Sequence, residues 1–128
     1  MKVATYLEFK DNANEVIETY QSVLGAEILL KYVYDEDMTD DSVLIGKIFH
    51  AELKIGDLNL YLCDSGVEPS FESIKLVAEI QDEAKAHEIF ERLAVGGKVI
   101  REFTEMSFGP TIADVKDKFG IKWNIVIC

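Results

Sequence analysis

Hydrophobic and polar positions follow one pattern through the first half of this chain. An apolar, β-prone run at 3–9 precedes a stretch in which apolar residues recur every three or four positions, as on one face of a helix. Asp11 or Asn12 is the expected N-cap, and Gly25 the expected stop. Three more β-prone runs follow at 26–34, 47–55 and 58–63, and Gly56-Asp57 predicts a tight turn between the last two. The pattern predicts one βαβββ module.

The second half repeats this order. A strand is expected at 74–80, a helix between Asp82 and Gly96-Gly97, and strands at 98–103, 111–115 and 121–127. A shift of 71 residues aligns four pairs of identical residues, Glu8/Glu79, Asp11/Asp82, Ala13/Ala84 and Gly25/Gly96. We interpret 1–64 and 73–128 as an internal repeat. Because a module of about 60 residues buries little surface alone, we expect the two to share one core in a single domain, 1–128.

Charge and apolar content restrict the partners of the chain. Its 24 acidic and 13 basic residues give a net charge of −11, whereas nucleic acids and anionic membranes require a basic face. No apolar run approaches the ~20 residues of a membrane span, and the first residues lack a signal-peptide core. We therefore expect a cytoplasmic protein that binds neither nucleic acid nor membrane. The spacing of Cys63 and Cys128 matches no zinc or redox motif, which predicts free thiols.

Four short segments carry a resemblance to a known superfamily. Residues 18–26 (ETYQSVLGA) resemble a helix end of the form F-Y-x-x-V-[LF]-G, although Thr19 replaces its first aromatic residue. Residues 49–56 (FHAELKIG) resemble the strand M-H-A-E-L-K-I-G, and 107–109 and 117–123 resemble [WF]-G and D-[KP]-F-G-x-x-W. On these motifs the chain resembles the glyoxalase/bleomycin-resistance/extradiol dioxygenase (vicinal oxygen chelate) superfamily. Within it, the PhnB-like subgroup, labelled 3-demethylubiquinone methyltransferase-like, is the most similar.

The resemblance implies a fold and an assembly. The implied fold is α+β, with two βαβββ modules forming a curved mixed sheet around a cavity and the helices on its outer face. It also implies a small-molecule ligand and a homodimer, since members of the superfamily commonly dimerise. The methyltransferase label implies little, because nothing in the chain resembles a methyl-donor nucleotide fold.

Members that use a metal hold it with four side chains, usually His, Glu or Gln. Carried over one at a time, these positions fall at Thr5, near Leu60, at Lys75 and at Asn124, with Asn59 and Tyr61 beside Leu60. None of the four is a strong ligand, and a lysine cation opposes metal binding. We therefore expect no metal and no cofactor.

His50 and Glu52 are the candidate catalytic residues. Strand alternation places both on one face, with Phe49, Ala51 and Leu53 on the other face against the helices. Same-face neighbours lie roughly 6.5–7 Å apart, which we take as too far for a short direct bond but close enough to converge on one ligand. His50 would then be a general base and Glu52 an acid or orienting carboxylate. The alternative is a solvated polar face without chemistry.

Other residues are candidates for ligand binding. Tyr61, Phe108 and Trp123 could stack a flat ligand, core packing being the alternative for each. The superfamily positions add Thr5, Lys75 and Asn124. The acidic segment 35–41 does not form a calcium loop, because Asp40 and Gly46 occupy the places where an EF-hand needs Gly and Glu.

The leading hypothesis is thus a metal-independent, PhnB-like protein that binds a small organic molecule in the cavity between the modules, with the reaction left open. One alternative is a metal-dependent lyase, isomerase or dioxygenase of the same superfamily, which would need a further ligand besides His50 and Glu52. Another is a drug-sequestering resistance protein that catalyses no reaction.

Overall fold

The computed structural model describes all residues from Met1 to Cys128, and they divide into two compact units, Met1–Pro69 and Ser70–Cys128. The elements of the first unit are β1 (Thr5–Phe9), α1 (Ala13–Leu24), β2 (Glu27–Val33), β3 (Ile48–Ile55) and β4 (Leu58–Asp64). Those of the second are β5 (Lys75–Ile80), α2 (Glu83–Ala94), β6 (Lys98–Glu105), β7 (Thr111–Lys116) and β8 (Lys122–Ile127).

Each unit has its own four-stranded mixed sheet. The strand order is β1-β4-β3-β2 in the first and β5-β8-β7-β6 in the second. The first strand of each unit runs parallel to the last, and the other pairs are antiparallel. The shared order confirms the predicted α+β fold with two βαβββ modules. Its strands form two separate four-stranded sheets. Neither helix is long and apolar enough to cross a membrane.

Helix α1 covers one face of the first sheet. Its buried residues recur at helical spacing: Ala13, Val16, Ile17, Tyr20 and Val23. They pack with the buried strand residues Leu7, Phe9, Ala51, Leu53, Leu60 and Leu62. Full burial of a large apolar side chain contributes about 1.5–3 kcal/mol, so this layer fixes the orientation of β1, β3 and β4. The alternate residues of the same strands must then project from the opposite, helix-free face, which we call the open face of the first unit.

A β-bulge in β3 changes one expected orientation. Tyr32 pairs with His50 and Val33 with Ile48, so Phe49 is an extra residue on the bulged strand. The prediction that Phe49 packs under the helix is therefore wrong: its side chain is 43% exposed and lies edge-on to Tyr34, whereas Ile48 is fully buried. The bulge lies next to His50, a position where bulges commonly re-aim a functional side chain.

The helix ends agree with the sequence only in part. Asp82 accepts the N–H of Lys85 at 3.1 Å and caps α2 as predicted. Gly25 ends α1 with φ +67°, a left-handed conformation that favours glycine. Asn12 occupies the N-cap position of α1, but its side chain makes no capping bond there. Both cysteines are free thiols, as expected.

Candidate functional site

Four polar or aromatic side chains from three strands meet on the open face of the first unit. Tyr6 on β1 is in register with Tyr61 on β4, and Tyr61 is in register with Glu52 on β3. Direct cross-strand partners project from the same face. His50 lies two residues before Glu52 and therefore shares that face. The backbone registers thus bring these four residues together.

A continuous chain of hydrogen bonds joins three of them. The Tyr6 hydroxyl lies 2.9 Å from His50 Nδ1, and His50 Nε2 lies 2.9 Å from Glu52 Oε2. Since a carboxylate oxygen accepts, Nε2 donates to Glu52. In the neutral ring Nδ1 is then an acceptor, so the Tyr6 hydroxyl donates to it. We call this arrangement the Tyr6–His50–Glu52 relay.

The direct bond corrects the expectation that His50 and Glu52 are too far apart for one. The separation of roughly 6.5–7 Å applies to α carbons of same-face neighbours. Both side chains are long enough to lean towards each other along the strand, which brings His50 Nε2 to 2.9 Å from Glu52 Oε2. The two side chains are therefore joined by a direct hydrogen bond.

Two tyrosine rings hold the imidazole in place. The His50 ring centroid is 5.5 Å from that of Tyr6 and 5.4 Å from that of Tyr61, the latter in an edge-on arrangement. The two tyrosine rings are also edge-on to each other at 6.1 Å. Aromatic pairs at these separations are attractive by about 0.5–1.5 kcal/mol beyond burial. The imidazole is thus fixed by ring packing as well as by its two hydrogen bonds.

The surroundings keep the Tyr6 hydroxyl protonated. Partial burial raises the pKa of Tyr6 well above its ordinary value, and the neighbouring Cys63 and the Glu8 charge raise it further. Burial also raises the pKa of the Cys63 thiol. At neutral pH, Tyr6 is therefore a hydrogen-bond donor, as the relay requires.

The relay is accessible at one end. The Tyr6 residue is 46% exposed, whereas the side chains of His50 and Glu52 are 24% and 22% exposed. A ligand on the open face would meet the phenol first, with the less exposed imidazole and carboxylate behind it. An imidazole oriented by a carboxylate is the arrangement that general acid–base catalysis uses.

Comparison with known proteins identifies the family of the chain. The sequence model of the 3-demethylubiquinone-9 3-methyltransferase family matches residues 1–126. The chain belongs to this family. Protein YjdN of Escherichia coli K12 is 28% identical over 138 residues, which cover 98% of this chain and 94% of that protein.

Solved structures show the same fold. A putative 3-demethylubiquinone-9 3-methyltransferase, PhnB protein, from Bacillus cereus superposes with a TM-score of 0.86 at 23% identity and covers 100% of both chains. A member of the glyoxalase/bleomycin resistance protein/dioxygenase superfamily from Sphaerobacter thermophilus gives 0.61 at 14% identity, covering 100% of this chain and 98% of the other. The family match confirms the PhnB-like resemblance inferred from the motifs, and the solved structures show the fold that the superfamily resemblance implied.

Two superfamily positions converge in the second unit of this PhnB-like chain. Asn124 Nδ2 donates to Asp114 Oδ1 at 2.8 Å, and Lys75 Nζ lies 3.8 Å from the same oxygen. Arg101 Nε lies 3.4 Å from Asp114 Oδ2. The structure thus brings Lys75 and Asn124 together around a carboxylate, on the sheet face that α2 leaves uncovered.

The remaining ligand-binding candidates lie elsewhere. Trp123 is 2% exposed, and its indole N–H donates to the buried Asp117 at 3.0 Å, so its ring is part of the core of the second unit. Phe108 is 73% exposed in the turn between β6 and β7. Thr5 is half-buried and in register with Leu60, whose side chain is fully buried.

The residues present do not fit the metal site of the superfamily. Leu60 offers no donor atom and is buried, and Lys75 is a cation engaged with Asp114. No group of three or more His, Cys, Asp or Glu side chains is placed to share an ion. These residues therefore do not form a site that could hold a catalytic metal ion.

Sequence reasoning missed Tyr6. The only indication in the sequence is the position of Tyr6 on β1, because strand alternation places its side chain on the same face as Glu8 and on the opposite face from Leu7. Its contact with His50 depends on β1 pairing in parallel with β4 at one particular register. That register spans 55 positions between Tyr6 and Tyr61 and cannot be read from the periodicity of either strand.

Proposed function

We propose that this PhnB-like protein binds a small organic molecule on the open face of its first unit, without a metal, and exchanges a proton with it through the Tyr6–His50–Glu52 relay. The observation that carries the proposal is the pair of 2.9 Å contacts that the imidazole makes with the phenol and the carboxylate. A histidine that served only as a polar surface residue would not need partners on both nitrogens.

The relay supplies the parts of an acid–base device. Glu52 orients the ring of His50 and stabilises the positive charge that would form if the imidazole took up a proton. Tyr6 presents its hydroxyl to the ligand while donating to Nδ1. When the Tyr6 hydroxyl turns to donate its hydrogen bond to a ligand oxygen and keeps its proton, Nδ1 becomes free to take up a proton from an acidic C–H or O–H of the ligand, which leaves the imidazolium paired with Glu52.

The aromatic residues suit a ligand with a flat or apolar part. The Tyr6 and Tyr61 rings flank the imidazole, and Tyr32 is in register with His50 from the neighbouring strand. Aromatic faces around a few polar groups are typical of small-molecule sites. Methyl transfer, the reaction in the family description, receives no support from these units, because neither four-stranded sheet is the doubly wound parallel sheet with a glycine-rich turn in which nucleotide cofactors commonly bind.

The experiment is a ligand screen with matched variants. The full chain is mixed with a library of small carbonyl, phenolic and carboxylic compounds, and binding is followed by thermal shift and then by calorimetry. Tyr6→Phe and His50→Gln should keep the fold but weaken any hit at least about tenfold, as loss of a charge-assisted or catalytic hydrogen bond predicts. His87→Gln, in the second unit, is the matched control and should bind like the wild type.

The outcomes separate the alternatives. Binding that survives in both Tyr6→Phe and His50→Gln would overturn the assignment of the site. Binding lost in the variants, with no chemical change of the ligand in the wild type, would leave a sequestering protein in place of an enzyme. A deuterium exchange of a ligand C–H that requires His50 would establish proton transfer.

The proposal also covers the oligomeric state and the cellular location of the protein. We propose that it acts in the cytoplasm as a homodimer: the resemblance to the superfamily supports the assembly, and the free thiols of Cys63 and Cys128 fit a reducing compartment.

A further inference from the structure

Four lysines, one from each strand of the second sheet, form a row across its helix-free face. Lys75 is in register with Lys122, Lys122 with Lys116, and Lys116 with Lys98. Direct cross-strand partners share a face, and strands about 4.8 Å apart place the four α carbons within roughly 14 Å. We call these residues the lysine row. Like charges directly opposite each other destabilise a sheet, so the row is held at a cost that a bound anion would relieve.

An acidic side chain of the same unit already lies on this row. Glu72 forms an ion pair with Lys116. That hydrogen bond and the charge of Lys116, together with those of Lys122 and Lys98, lower the pKa of the Glu72 carboxyl. The side chain of Glu72 is 71% exposed, so solvent reaches it and it can leave the row without unfolding the sheet. A carboxylate thus shows where an oxyanion is stabilised.

A cavity adjoins the row. It has a volume of about 260 Å³ and is lined by Lys75, Ile100, Arg101, Asp114 and Lys122. The side chain of Asp114 is 14% exposed and meets both Lys75 and Arg101. Arg101 and the lysine row carry five positive charges, against the three carboxylates of Glu72, Asp114 and Glu79, the last of which lies on the same face of β5 as Lys75. This face therefore has a net positive charge in a chain whose overall charge is −11.

Two features of the backbone build this face. Val99 pairs with Val115 and Arg101 with Asp114, so Ile100 is an extra residue that places Arg101 opposite the carboxylate. At Gly97 a Cβ atom would lie 2.1 Å from the carbonyl oxygen of Lys116, a contact that no other residue tolerates. Gly97 thereby lets β6 begin close beside β7, with Lys98 next to Lys116.

We propose that the lysine row binds a small molecule bearing a doubly charged oxyanion, and that Glu72 is an internal competitor that occupies the row in its absence. The row has several cations within the reach of one phosphate-sized or dicarboxylate group, whereas the acidic remainder of the chain repels an extended polyanion such as nucleic acid. The site uses only residues of the second unit, so it stands independently of the Tyr6–His50–Glu52 relay.

The test is a titration of the full chain with inorganic phosphate at neutral pH and constant ionic strength, followed by amide chemical shifts. Saturable shifts are expected at the lysine row. Glu72→Gln should bind phosphate about two- to fivefold more tightly, because it removes a competing surface ion pair. Lys122→Gln should bind it more weakly. Succinate, titrated in parallel, shows whether the row prefers a tetrahedral or a dicarboxylate group.

Matched control variants distinguish phosphate binding at the lysine row from a non-specific effect of changing the net charge. Glu68→Gln removes the same charge from the exposed pair with Lys10 in the first unit, and Lys85→Gln removes one lysine from the surface of α2. Both should bind phosphate like the wild type. Equal tightening by Glu72→Gln and Glu68→Gln, absence of saturable shifts, or a short single-stranded DNA that shifts the same amides at lower concentration than phosphate would each overturn the proposal.

Discussion

The carboxylate of Asp64 accepts the backbone N–H of Ala13 at 2.9 Å and so caps helix α1 from a distant strand. Its second oxygen accepts the N–H of Ile48, also at 2.9 Å. Asp64 is 1% exposed, and it replaces the capping bond that Asn12 does not make. One buried side chain thus joins the start of α1, the start of β3 and the end of β4.

We predict that Asp64→Ala destabilises the protein by about 2–5 kcal/mol, because it leaves two buried N–H groups without acceptors. Asp64→Asn keeps one acceptor oxygen and should cost less. Urea denaturation followed by circular dichroism measures both. Asn12→Ala is the control and should change the free energy of unfolding by under about 0.5 kcal/mol, as expected of a cap residue with no capping bond. A loss of stability in Asn12→Ala similar to that in Asp64→Ala would contradict this account.

The contacts of Asp64 are of a kind that the sequence alone does not predict. Strand and helix positions follow from local periodicity, and all ten elements lie close to their expected ranges. Asp64 reads as the first polar residue of a connector, because nothing local shows that its carboxylate reaches back 51 positions to Ala13. The pairing of β1 with β4 is equally non-local, so the motifs indicated His50 and Glu52 while Tyr6 was missed. The lysine row likewise appears only once the three registers that join its four strands are known.

The stability of the protein should fall at alkaline pH. Burial is the main cause that raises the pKa values of Tyr6, Tyr34 and Cys63, so the folded state holds these protons more tightly than the unfolded state. The resulting stabilisation is complete below the unfolded values, about 8.5 for Cys and 10 for Tyr, and is lost as the pH rises towards the folded values.

Tyr6→Phe tests this contribution. Denaturation midpoints measured from neutral pH to above pH ~10 should decline less steeply in the variant than in the wild type, because one of the raised groups is gone. Between about pH 6 and 8 the two profiles should run parallel, since the phenol is protonated in both states there. A wild-type profile that rises above about pH 9 would contradict the linkage.

We predict a homodimer that uses the β2 edge. Strand β2 ends the first sheet, and its apolar side chains Ile28, Leu29, Tyr32 and Val33 are more than a third exposed. An unpaired apolar edge favours association with another chain. Sedimentation at micromolar concentration should give about twice the 14.4 kDa of the chain, and Leu29→Lys should shift it towards the monomer. A monomeric wild type would refute the prediction.

The purified protein should contain far less than one divalent metal ion per chain after dialysis. The superfamily positions give Thr5 and Asn124, which are weak neutral donors, and Leu60 and Lys75, which do not bind such an ion. Elemental analysis measures the content directly. About one zinc, iron, nickel or manganese per chain, removed by a chelator together with an activity, would instead support the metal-dependent alternative.

The tautomer of His50 is the most direct test of the relay. The ring should carry its proton on Nε2, because this nitrogen donates to Glu52 while Nδ1 accepts from Tyr6. Long-range ¹H–¹⁵N spectra distinguish the two nitrogens of a neutral imidazole. The chain has two histidines, so His87→Gln assigns the signals of His50 without altering the first unit.

Two substitutions should change these signals in different ways. Tyr6→Phe removes the donor to Nδ1 but leaves Glu52, so the proton should stay on Nε2 while the Nδ1 resonance moves to that of a nitrogen without a hydrogen bond. Glu52→Leu removes the acceptor of Nε2–H, so the ring loses the group that fixes its tautomer and should populate both forms. A wild-type spectrum with the proton on Nδ1, or an Nδ1 resonance that does not respond to Tyr6→Phe, would show that the phenol does not donate to His50, and the acid–base device would lose its accessible end.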